Sequence, residues 1–132
     1  MSKITLPSSQ PEPPSCVYTD LATRAKIYVG GKKHAKDWEW LALHGICHVE
    51  TCLDHSLMSE GFHLPEGVGS HQFNIGYDVG RTESFQKALH NIQVMLAKGQ
   101  HVLLHCEAGV HRAATAAALC LMFIRRIPFR EA

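Results

Sequence analysis

Residues 101–123 read HVLLHCEAGVHRAATAAALCLMF, with a cysteine and an arginine six positions apart across a glycine. Cys106 follows the apolar run 102–104 and His105, and Arg112 opens an alanine-rich stretch of high helix propensity. A cysteine between a strand end and a helix start lies where loop amides and the helix dipole stabilise negative charge, which favours the thiolate. A thiolate is a strong nucleophile at neutral pH. Gly109 lets such a loop turn sharply with its N–H groups facing inward. The planar fork of Arg112 matches two oxyanion atoms at once. The backbone of Glu107, Ala108, Gly109, Val110 and His111, together with Arg112, is therefore expected to cradle a tetrahedral oxyanion, phosphate above all. The Cys106 thiolate would lie below its central atom.

Such a loop needs a strand to end at it and a helix to start from it. Residues 26–31, KIYVGG, read as a strand closed by two glycines. Residues 34–45 read as one helix with Trp38, Leu41 and Ala42 on a shared face and Gly45 as its stop. In that helix Trp38 and Trp40 are read as core and rim. Residues 46–52 (ICHVETC) read as a strand, 53–70 as irregular chain and 71–78 (HQFNIGYD) as a second strand-like run. In residues 82–99, Phe85, Ala88, Leu89, Ile92, Met95 and Leu96 follow the helical i, i+3, i+4, i+7 spacing, with Gly99 at the end. A strand at 102–105 and a helix from about 112 to 126, stopped near Pro128, complete the order. Ligands of open α/β sheets sit at the carboxyl ends of strands, and Cys106 falls there. The expected fold is α/β, with a central, mostly parallel, four- to five-stranded sheet flanked by helices.

The 132 residues suit one domain. Residues 1–15, rich in Pro and Ser, read as a flexible leader and 16–132 as the folded domain. A formal charge of +1 argues against a nucleic-acid partner. No apolar run approaches the roughly 20 residues of a membrane span, and the N-terminus has no secretory h-region. The five cysteines (Cys16, Cys47, Cys52, Cys106, Cys120) are odd in number. Without a secretion signal they point to a reducing compartment, the cytoplasm with the nucleus as the other option.

The run His105–Cys106–Glu107–Ala108–Gly109–Val110–His111–Arg112 resembles the His-Cys-x5-Arg signature of cysteine-dependent protein phosphatases. It is most similar to the dual-specificity branch, and to the phosphatases of regenerating liver at the signature loop. IYVGG, the helix after it and GICHVETC resemble the opening of a dual-specificity domain, so the similarity runs over about residues 24–126. The resemblance implies a two-step, cofactor-free and metal-free hydrolysis of phosphotyrosine, phosphoserine or phosphothreonine in a protein substrate, through a phosphocysteine on Cys106. It implies an aspartate as general acid, for which Asp78 stands at the matching place. Asp54 is the second candidate, and a plain turn role for Asp78 before Gly80 is the other reading. It also implies that Cys52 could pair reversibly with Cys106 and shield it from over-oxidation.

At position 113 many relatives carry a Ser or Thr whose hydroxyl stabilises the departing thiolate. Ala113 lacks it, as the phosphatases of regenerating liver do, so slow breakdown of the intermediate is expected. Glu107 and His111 stand where phosphoinositide phosphatases tend to carry lysines, which disfavours a lipid substrate. RNA 5′-triphosphatases share a related signature and remain a minor option. A phosphate-binding pseudophosphatase or scaffold with little turnover is the alternative to an active enzyme. Relatives continue with two further helices, so a fragment and a minimal domain are both open, as is the oligomeric state.

Two other groups hold residue types that could do chemistry. His44, Cys47, His48, Cys52 and His55 are zinc-type ligands, but a strand sends Cys47 and His48 to opposite faces, and core and edge positions are the simpler reading. Cys120 reads as a buried small hydrophobe, and Lys32 and Lys33 as solvated.

Overall fold

A computed structural model describes residues 14–53, 56–73, 83–107 and 111–125, the side chains of His111 and Arg125 aside. The elements are β1 (Ser15–Thr19), β2 (Lys26–Gly30), α1 (Lys32–Ala35), α2 (Trp38–Leu43), β3 (Ile46–Thr51), β4 (Gly69–Gln72), α3 (Glu83–Ala97), β5 (His101–His105) and α4 (His111–Arg125). They build one five-stranded sheet in the order β1-β2-β5-β3-β4. Edge strand β1 runs antiparallel to β2, and the other neighbours are parallel.

The central place of β5 follows from its sequence. Val102, Leu103 and Leu104 are fully buried, as a strand must be when helices cover both faces of a parallel sheet. Val102 and Leu104 join Phe85, Ala88 and Ile92 of α3 and Ala113, Ala116, Ala117 and Cys120 of α4 in one core cluster. Leu103 points the other way, to Ala35, Leu41, Ile46, Val49 and Leu57. In α3 the buried residues are Phe85, Ala88, Ile92 and Leu96, the stripe its spacing predicts. Burying Ile92 alone stabilises the fold by about 2 kcal/mol. Gly45 (φ 64°) and Gly99 (φ 77°) take the left-handed conformation after α2 and α3, the turn that ends a helix with no Cβ penalty.

The structure departs from two expectations and adds one strand. The single helix over 34–45 is two helices, because the Asp37 carboxylate accepts the Trp40 N–H at 3.0 Å and caps a new start. The new phase leaves Trp38 half exposed and turns Trp40 and Leu41 inward. Strand β1 (SCVYT) was not anticipated. It is an edge strand with its first three residues exposed, so it carries little hydrophobic pattern to read. The strand in the 71–78 region starts earlier, at Gly69, and ends at Gln72. Pairing goes one residue further, with the Phe73 N–H on the Thr51 carbonyl at 2.9 Å, while 74–78 lie outside the described residues. No helix among the described residues is long and apolar enough to cross a membrane.

Candidate active site at the end of the central strand

The chain leaves β5 through a set of backbone bonds that hold Cys106 and Glu107 between the neighbouring strands. The Cys106 N–H donates to the Gly30 carbonyl at 3.4 Å, and the Cys52 N–H to the His105 carbonyl at 2.8 Å. The Lys32 N–H donates to the Glu107 carbonyl at 2.9 Å. A Cβ at Gly30 would lie 2.7 Å from His34 Nδ1, so the His34 side chain would have to shift. That nitrogen instead accepts the Gly31 N–H at 2.8 Å and folds α1 back over the end of β2.

Cys106 is buried, 2% exposed. Arg112 lies in the first turn of α4 and is exposed. Ala113 is fully buried in the cluster that contains Cys106, whereas Thr115 faces outward. Asp78, Asp54, Ala108, Gly109 and Val110 lie outside the described residues, as does the His111 side chain.

His105 is fully buried. Its Nδ1 is 3.1 Å from the Cys106 carbonyl, which can only accept, so Nδ1 carries the proton. Nε2 is then the acceptor for the Thr51 hydroxyl at 2.8 Å. Burial pushes the imidazole pKa down from 6.5 to about 4, so the ring is neutral at physiological pH and acts as a fixed strut under the loop. Above pH 6.5 the ring is neutral folded and unfolded, and it costs nothing. As pH falls from about 6.5 to about 4 the unfolded chain takes up the proton first, and stability is lost by on the order of 3 kcal/mol. Urea titrations at about pH 7, 5.5 and 4.5 should show this decline, and His105→Asn should flatten it. An equal slope in the variant would show that other groups cause it.

Next to this strut is a buried carboxylate that the sequence reading did not single out. Glu50 on β3 is fully buried. His48 Nε2 lies 2.5 Å from one oxygen, His71 Nδ1 2.7 Å from the other, and Asn91 of α3 donates at 3.0 Å. Burial alone would raise its pKa, but these hydrogen bonds outweigh it and hold the pKa below the usual carboxylate value. The group clamps β4 and α3 to β3 one residue before Thr51. Among the described residues no three His, Cys, Asp or Glu side chains are grouped to hold a metal ion. His48, one of the zinc-type ligands, is a partner of Glu50, and Cys47 is half-buried.

Cys52 follows the last β3–β5 pair, Thr51↔His105. Cys106 follows the other member of that pair. Both thiols are free here and share one buried cluster. Burial, then the charge of Glu50, pushes the Cys52 thiol well above its ordinary value, and Arg112 acts in the opposite sense. Cys120, buried as expected, is pushed up to about 12 by the same two causes. A cleft of about 350 Å³ lined by Leu57, Phe62, Leu64, Val68 and Gln72 meets this region at Thr51.

The expectation of a solvated Lys32 is corrected by the structure. The Lys32 Nζ lies 2.6 Å from Glu60 and 2.9 Å from Glu107. No local signal marks it, since Glu107 is 75 positions away and only the pairing of β2 with β5 brings the two together.

The sequence matches no protein-family profile and no curated protein. The fold does match solved structures. Human DUSP28 superimposes with a TM-score of 0.64 at 17% identity, over 92% of this chain and 78% of that one. The leucine rich repeat and phosphatase domain containing protein of Entamoeba histolytica gives 0.65 at 16%, over 90% and 72%. The human tyrosine phosphatase-like serine/threonine/tyrosine-interacting protein gives 0.62 at 20%, over 80% and 72%. The chain has the fold of the dual-specificity cysteine phosphatases.

Proposed function

We propose that this protein is a cysteine-dependent phosphatase acting on phosphotyrosine, phosphoserine or phosphothreonine in a protein substrate. The observation that carries the reading is the buried Cys106 at the end of the central parallel strand, with Arg112 in the first turn of the next helix, in a phosphatase fold. In the first step Cys106 Sγ attacks phosphorus, a P–S bond forms, and the ester P–O bond breaks. Asp78 protonates the departing oxygen. Arg112 and the loop amides hold the equatorial oxygens as charge builds. Water, deprotonated by Asp78, then attacks phosphorus. The P–S bond breaks, phosphate leaves, and the electron pair returns to sulfur. The purified protein should hydrolyse an aryl phosphate, with vanadate as a competitive inhibitor. No hydrolysis across the pH range, with oxyanion binding intact, would leave a phosphate-binding protein without turnover.

Ala113 sets the pace of the second step in this reading. Its side chain belongs to the same buried cluster as Cys106, so a serine hydroxyl there would lie in a dry setting, where a hydrogen bond to a returning charge on sulfur would count most. Rapid mixing of the wild type should give a burst of product followed by slow turnover. Ala113→Ser should raise the steady-state rate about 10- to 100-fold, roughly 1.4 to 2.7 kcal/mol in barrier, and leave the burst nearly unchanged. A wild type with no burst, and no gain in the variant, would make the first step limiting.

A further inference from the structure

The residue after the nucleophile is acidic. Glu107 is half exposed at the start of the loop, and a carboxylate there opposes a dianion approaching Cys106. Lys32 of α1 meets it at two points, with its backbone N–H on the Glu107 carbonyl at 2.9 Å and its Nζ on the carboxylate at 2.9 Å. The same Nζ is 2.6 Å from Glu60, whose second oxygen is 3.1 Å from Lys36 Nζ. Glu60 and Glu107 together hold the Lys32 ammonium in its charged form. An ion pair of two long side chains gains little on its own. Here Glu60 already restrains the Lys32 side chain, so less entropy is lost when it also holds Glu107. Two lysines and two carboxylates sum to zero, and loss of Lys32 leaves one net negative charge beside Cys106.

We infer that Lys32 is a positioning residue that cancels the charge of Glu107 and thereby sets the affinity of the Cys106 site for anions. The inference rests on reading that site as an oxyanion site.

The test needs no turnover. Cys106 is alkylated in the full chain with anionic iodoacetate or neutral iodoacetamide, and its peptide is followed by mass spectrometry. The ratio of the two rates reports the local potential, because steric access affects both reagents alike. Lys32→Met should lower the iodoacetate-to-iodoacetamide ratio about 3- to 10-fold at low salt, less at high salt. Lys32→Arg should preserve it, and Lys32→Met combined with Glu107→Gln should restore it. Glu107→Gln alone should raise it, which keeps the inference testable if Lys32→Met does not fold. A ratio unchanged in Lys32→Met, or lowered equally in the double variant, would overturn the inference. A Cys106 unreactive to both reagents would instead sink the oxyanion-site reading.

Discussion

Cys106→Ser is expected to lower aryl phosphate turnover by at least about four orders of magnitude while tungstate binding persists. The hydroxyl is close to isosteric with the thiol, but it does not ionise at neutral pH without a base. The buried group nearest in the chain, His105, uses Nε2 to accept from Thr51 and Nδ1 to donate to the Cys106 carbonyl, so it is not available as one. In the proposed site Arg112 and the loop amides carry the affinity for the anion, and the substitution does not touch them. A serine at so buried a position costs about 1 to 3 kcal/mol if its hydroxyl finds no partner, so a thermal melt belongs beside the assay. Loss of tungstate binding in a well-folded variant would mean that the sulfur itself holds the anion. Substantial remaining turnover would remove Cys106 from the chemistry.

Arg112→Lys is expected to cut kcat/KM about 100- to 1000-fold, as loss of a preorganised oxyanion donor does. An ammonium keeps the charge but cannot meet two oxygens in one plane. Because Arg112 is exposed on α4, the change should leave stability within about 0.5 kcal/mol. The loss would therefore read as chemistry and not as unfolding. Weaker tungstate binding should accompany it. Near-normal kinetics would place Arg112 outside the site.

The resemblance of the signature loop and the phosphatase fold of the solved structures agree, but they come from different information. The 82–99 pattern, the glycines at 45 and 99 and the apolar run of β5 are local signals. Each depends on periodicity or backbone conformation within one segment, and each appears in the structure as it was read. The placement of Cys106 at a strand end needed no more than that. The break at Asp37 was legible as a capping residue, but the amphipathic pattern across it suggested one helix, and the cap prevailed. Strand β1 was not legible because an edge strand with an exposed first half leaves no alternation to detect.

The remainder depends on which strands are neighbours, and no segment carries that information. The order β2-β5-β3 brings Lys32 to Glu107 and Thr51 to His105, and it puts Cys52 and Cys106 in one buried cluster. The pairing of β3 with β4 sets Glu50 opposite His71, so a residue without sequence signature becomes a buried, triply bonded carboxylate. The amino-acid sequence by itself determined the chemistry that Cys106 and Arg112 can offer, since nucleophilicity and bidentate binding belong to the side chains. The tertiary structure alone decided the charge and hydrogen-bond setting around them. Burial strengthens a Coulomb interaction or penalises a proton only when distant segments exclude water together, as they do around His105 and Glu50.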